Sequence, residues 1–150
     1  MIREATFSKD KKNRYLLKRQ WDNSKDLILY IMLNPSIADE KKDDPTIRRL
    51  INFTKKFDFG GFYVANIFTE ISSDPKSIDK SKPISKKNKE TILSLVELSM
   101  NVVYAWGNFK EEPKFLKLKI DKPKCFGKNK NGSPKHPLYL SKEICLQDYR

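Results

Sequence analysis

The stretch ILYIMLNPSIADEKKDDPTIRR, Ile28 to Arg49, decides how the rest of the chain is read. An apolar run from Leu27 to Leu33 leads into Asn34-Pro35-Ser36. Unbroken apolarity without alternation marks a strand covered on both faces. Four carboxylates follow at Asp39, Glu40, Asp43 and Asp44, and then the pair Arg48-Arg49. Asp44-Pro45 reads as a helix start, with Asp44 as the cap and Pro45 in the first turn. Ile47, Leu50, Ile51 and Phe57 recur on one face, which predicts a helix to about Phe57, ended by Gly60-Gly61.

Working outward, Ala5–Ser8 and Tyr15–Trp21 flank the polar turn 9–14 and predict an N-terminal β-hairpin. Phe62–Phe68 is a second buried strand, Asn101–Trp106 a third and Pro123–Phe126 a short fourth. Between them lie a helix capped by Ser85 or Asn88, with Ile92, Leu95, Val96 and Leu98 on its apolar face, and a short helix over Pro113–Leu118. Strands alternating with helices predict an α/β fold: a three-layer α/β/α sandwich on a mainly parallel four-stranded central sheet, plus the hairpin, as one domain over residues 1–150. Sites in such sheets form from loops at the carboxyl ends of strands. That rule selects the loops after Leu33, Asn66, Trp106 and Phe126.

Composition narrows the partner. Thirty-one Lys and Arg against 19 Asp and Glu leave a formal charge of +12, spread along the chain. Such an excess points to a polyanion, nucleic acid being the usual one, with a solvated lysine-rich surface as the plain alternative. No apolar run approaches the ~18 residues of a membrane span. Met1–Asp10 has no apolar signal-peptide core, so a cytoplasmic setting without membrane contact is expected. Cys125 and Cys145 are too few and too far apart to hold zinc or an iron–sulfur cluster. No cofactor or metal is expected, and the protein is expected to be a monomer.

The candidate residues sit in the selected loops. Asn34 offers a donor and an acceptor beside the stiff Pro35; its plain role is an Asx turn. The acidic residues Asp39 to Asp44 can activate water, hold Mg²⁺ or face a developing positive charge, or they can cap a helix and meet water. Asn66, closing YVAN, can pair with a base edge or brace its own loop. His136 is the only histidine, in a loop, with an ordinary pKa near neutrality. Leu138, Tyr139 and Leu140 beside it either pack the C-terminal tail or wedge into stacked bases.

In order, LNPS after one strand, Asn66 after the next, Ala105-Trp106-Gly107, and His136-Pro137-Leu138-Tyr139-Leu140 resemble the motif series of the uracil-DNA glycosylase superfamily. The longer pattern LNPS-x-AD, DDPTIRR, AWG and HPLYL is similar to a family of bacterial, archaeal and phage proteins designated DUF1643. The glycosylase resemblance implies a uracil-DNA-glycosylase-like fold and hydrolysis of an N-glycosidic bond in DNA, single- or double-stranded, to leave an abasic site. It implies that Asn34 positions water and that His136 donates to the leaving base. Asn66, with Pro35, Ser36 and Phe68, would hold the base. Leu138, Tyr139 and Leu140 would wedge, with Arg48 and Lys135 on phosphates. Outside that pattern, Asp39 could support the sugar cation or bond to a polar group on a modified base. Ser36, where such enzymes often carry Gly, and the acidic insert depart from that pattern and point to a damaged or modified base, such as one of phage DNA. Two other functions compete: a non-catalytic nucleic-acid-binding module, and an N-glycosidase of free nucleotides.

Overall fold

A computed structural model describes residues 1–109 and 111–150. Seven strands form one sheet: β1 (Ile2–Phe7), β2 (Arg14–Gln20), β3 (Leu27–Met32), β4 (Gly61–Asn66), β5 (Asn101–Tyr104), β6 (Lys124–Cys125) and β7 (Gln147–Asp148). Their spatial order is β1-β2-β4-β3-β5-β6-β7. The pairs β4–β3, β3–β5 and β5–β6 are parallel, while β1–β2, β2–β4 and β6–β7 are antiparallel.

This corrects the expected architecture. The sheet is a seven-stranded mixed one, not a mainly parallel sheet of four, and the glycosylase-like fold inferred from the motifs is set aside. The physical reason lies in the edges. The hairpin β1–β2 is not an appendage: β2 hydrogen-bonds along β4 from Leu17 opposite Val64 to Gln20 opposite Gly61. At the other edge, two residues of the tail pair with β6, too short a run to show any periodicity.

Side chains of β3 alternate between two cores. Ile28, Tyr30 and Met32 meet Phe62, Val64, Val103 and Phe126 under helix α1 (Pro45–Lys56), which contributes Ile47, Leu50 and Phe53. Leu29, Ile31 and Leu33 meet Tyr63, Ala65 and Trp106 under α2 (Lys86–Glu97) and α3 (Lys114–Lys119), through Ile92, Leu95 and Leu116. Two hydroxyls deep under α1 are satisfied: Tyr30 Oη lies 2.8 Å from Thr54 Oγ1, which itself donates to Leu50 O.

Helix starts follow the local chemistry. Asp44 Oδ1 accepts from Ile47 N–H at 2.8 Å, with Pro45 in the first turn, and Ser85 Oγ caps α2 through Asn88 N–H. The predicted stop is corrected. Asp58, at φ +65°, takes the left-handed position after α1, and Gly60-Gly61 instead serve close packing. A side-chain carbon on Gly61 would collide with the Arg19 carbonyl, so glycine is what lets β4 lie against β2.

Candidate functional site

Parallel strands put three carboxyl ends on one edge of the sheet: Met32 of β3, Asn66 of β4 and Tyr104 of β5. Because β2 runs the other way, its first residue, Arg14, arrives at that same edge. The β1–β2 register slips where consecutive Thr6 and Phe7 face Leu16 and Arg14, so β2 carries the extra residue, Tyr15, next to Arg14. Bulges re-aim side chains; this one accompanies an Arg14 turned into the protein, 2% exposed. Beside these ends the amino terminus of α1 closes the edge. A cleft of about 620 Å³ results, lined among others by Asn34, Asn66, His136, Arg14 and Asp44.

Asn34 has spent both amide hydrogens. Its Nδ2 donates to Pro35 O at 3.1 Å and Ser72 O at 2.9 Å, tying the loop after β3 to the loop after β4. Its Oδ1 is left as an acceptor. Asn66 is 1% exposed and braced by α2, since Asn88 Nδ2 donates to Asn66 O at 2.7 Å and Ile67 O at 3.1 Å. Its Oδ1 accepts a long 3.5 Å hydrogen bond from Arg14 Nη2, while its Nδ2 has no partner among the described residues.

His136 is oriented by its own loop. Leu138 N–H donates to His136 Nδ1 at 3.1 Å. That nitrogen is therefore the acceptor, and the proton of the neutral ring sits on Nε2. Burial holds its pKa below the ordinary histidine value, outweighing the attraction of Asp44. Gly107, at φ +77°, donates to Pro134 O at 2.9 Å and brings the loop after β5 against His136.

Arg14 is a buried cation in an unusual setting. Nη1 donates to Ala38 O at 3.0 Å; among the described residues Nε has no partner and no carboxylate forms an ion pair with the guanidinium. Burial pushes its pKa down to about 10, against the pull of Asp44, so it stays charged at neutral pH.

The acidic stretch divides. Asp39 lies outside the cleft: its Oδ1 accepts from Lys41 and Lys42 N–H, closing a turn, and those bonds hold its pKa below the usual carboxylate value. Asp43 pairs with Arg3 and Arg19. Asp44 alone enters the cleft, 6% exposed, with one oxygen capping α1 and the other without a bond to any described residue.

Of the other expected residues, Pro35, Ser36 and Leu138 line the cleft. Phe68 does not; it packs edge-on against Phe109, ring centroids 5.8 Å apart. Arg48 lies outside and donates to Asp43 O. Lys135 is also outside, its backbone N–H bonded to Gly127 O. Tyr139 is 93% exposed at φ +70°, next to the cleft-lining Leu138. Leu140 packs against the α1-side core and its carbonyl accepts from Arg49, which is the tail-packing role. Arg14, Lys76 and Lys80 line the cleft without having been singled out in the sequence. Arg14 starts a strand whose docking partner no local pattern marks, and the two lysines lie in the loop between β4 and α2, among many other lysines of the chain.

Among the described residues no helix is long and apolar enough to cross a membrane. Nor do any three or more His, Cys, Asp or Glu side chains among them gather to hold a metal ion. Comparison with curated proteins and with solved structures finds no match. Residues 14–138 match the family described as "Protein of unknown function (DUF1643)", and as that span is most of the chain, the protein belongs to this family.

Proposed function

We propose that the cleft hydrolyses the N-glycosidic bond of a damaged or modified base in DNA, leaving an abasic site. The observation that carries this reading is the meeting of a neutral His136 whose free nitrogen is a donor, an Asn34 whose free atom is an acceptor, and a carboxylate, Asp44, in one cleft. Breaking the bond leaves the electron pair on the base and positive charge on the sugar. His136 Nε2–H donates to the base oxygen that gains charge. Asn34 Oδ1 orients a water toward C1′, and Asp44 faces the sugar cation and takes the proton that water loses as its oxygen bonds to C1′. The released base is then protonated from solvent. Asp44 takes the part expected of Asp39, whose carboxylate is committed to its own turn.

Access favours a base turned out of its stack. Tyr139 is an exposed aromatic at the lip of the cleft, suited to fill the gap a flipped nucleotide leaves. Lys76 and Lys80 on the wall suit the flanking phosphates. A second reading, hydrolysis of a free nucleotide, is favoured by the buried cation Arg14 in the cleft lining, a partner for the nucleotide's own phosphate. Incubation with oligonucleotides carrying different modified bases, and in parallel with the matching free nucleotides, separates the readings. Alkali-labile strand breaks support the DNA enzyme, and base release from mononucleotides alone supports the second. Retained DNA binding without any base release would leave a binding module and overturn both.

A further inference from the structure

Arg14 and Asn66 pose a question that bond hydrolysis does not answer. Both side chains are almost completely buried and both line the cleft, and each carries a donor atom, Nε on Arg14 and Nδ2 on Asn66, that is closed to water as the cleft stands and has no partner among the described residues. The orientation of the Asn66 amide follows from its neighbour: a guanidinium can only donate, so Oδ1 must face Arg14 and Nδ2 must face away. What is missing at the floor is therefore acceptor atoms. Burial of a cation without a counter-charge is costly. Asp44 is the carboxylate whose field reaches Arg14, but it makes no ion pair with it and is engaged in capping α1.

We infer that Arg14 and Asn66 form a two-donor seat for an oxyanion group of the ligand at the floor of the cleft. Two classes of ligand carry such a group into a nucleotide-sized space: a mononucleotide, by its terminal phosphate, and a nucleobase bearing an ionised substituent such as a carboxylate. A neutral unmodified base does not. The anion would accept from Arg14 Nε–H in a charge-assisted hydrogen bond and from Asn66 Nδ2–H in a neutral one. The seat shares its cleft with the hydrolytic reading and names the substrate class for it, yet equilibrium binding without turnover judges the seat alone.

The test is calorimetric titration of the full-length protein with two matched pairs: uridine 5′-monophosphate against uridine, and 5-carboxyuracil against uracil. Each anionic probe is expected to bind about tenfold or more tightly than its neutral partner if it takes the seat, the scale of hydrogen bonds to a charged group. The pair that shows the preference identifies the source of the anion. Arg14→Gln should abolish that preference. Asn66→Asp guards against a variant that merely unfolds: it places a carboxylate beside Arg14, so the melting temperature should stay level or rise while the anion preference disappears. Equal binding of the anionic and neutral members of both pairs would overturn the seat, as would a preference that survives in a folded Asn66→Asp protein. Base release from an uncharged modified base together with such equal binding would reject the seat and leave the hydrolytic reading standing.

Discussion

Arg14 and Arg19 stand at opposite ends of β2, and both are buried, at 2% and 0% exposure. Their surroundings could hardly differ more. Arg19 donates to Asp43 Oδ1 at 3.0 Å, to Lys18 O, and through Nη2 to Asp39 O and Lys42 O, with Arg3 sharing the same carboxylate. Arg14 has one backbone carbonyl, one long contact to an amide, and an idle Nε. The same side chain is thus a finished clamp at one end of the strand and an open donor at the other. That contrast also explains why a basic protein sets its densest acidic run after its central strand. Asp43 and the carbonyls around it receive Arg3 and Arg19, which fix the loop, and the fixed loop delivers Asp44 to the cleft. A buried charge left unmatched inside a cavity is the pattern expected where stability gives way to binding.

The largest difference should be in stability at the clamp end. Arg19→Ala removes the buried partner of Asp43 and strands several carbonyls, so denaturant unfolding should show a loss of about 3–5 kcal/mol. Arg14→Met, by contrast, exchanges an unpaired buried charge for an apolar chain of similar reach, and its unfolding free energy should move by no more than about 1 kcal/mol. Equal losses in the two variants would erase the distinction.

At the open end the effect should fall on chemistry. His136→Ala should slow single-turnover base release by about 10²–10³-fold, as for loss of one donor aimed at developing negative charge, while oligonucleotide affinity changes little because phosphate contacts dominate it. Smaller, and sharper for the loop between the two ends, is the pair Asp44→Asn and Asp39→Asn. Asparagine caps helices about as well as aspartate, so Asp44→Asn should keep its stability to within about 0.5 kcal/mol yet lose base release. Asp39→Asn should leave base release near wild type. A reversal of that order would return the catalytic carboxylate to Asp39.

The smallest effect concerns pH. The folded-state pKa of His136 lies below its ordinary value because of burial. The folded protein therefore takes up its proton later than the unfolded chain does. Stability from this residue is present above the unfolded histidine pKa and is lost as pH falls from about 6.5 toward the folded value. Protonation also ends the acceptor role of Nδ1 toward Leu138 N–H. The stability difference between wild type and His136→Ala, followed by thermal melts from pH 7.5 to 5, should shift in favour of the variant as pH falls.

What the sequence disclosed follows the same contrast. Leu27–Leu33 and the Asp44-Pro45 start were legible because burial on both faces and helix capping leave local marks, and the carboxyl-end rule brought out Asn34, Asn66 and His136, which do line one cleft. Arg14 was not legible. Its place depends on β2 docking antiparallel to β4, a pairing between segments far apart in the chain that no periodicity records. The same nonlocal fact turned an expected four-stranded, mainly parallel sheet into a mixed sheet of seven. Phe68 was misdirected for a related reason: β4 ends at Asn66, and two residues later the chain turns its ring to Phe109. Asp39 and Asp44 carry the same carboxylate and differ only in which backbone N–H groups fold back onto them, which spacing leaves undecided.

The most direct test of the proposed chemistry is single-turnover formation of abasic sites by wild type and His136→Ala, side by side, on DNA carrying the modified base that the wild type accepts. The wild type should give alkali-labile sites and the variant a rate about 10²–10³-fold lower, with oligonucleotide binding nearly unchanged between them. Matching rates in the two proteins, or binding with no abasic site from any modified base, would contradict that chemistry.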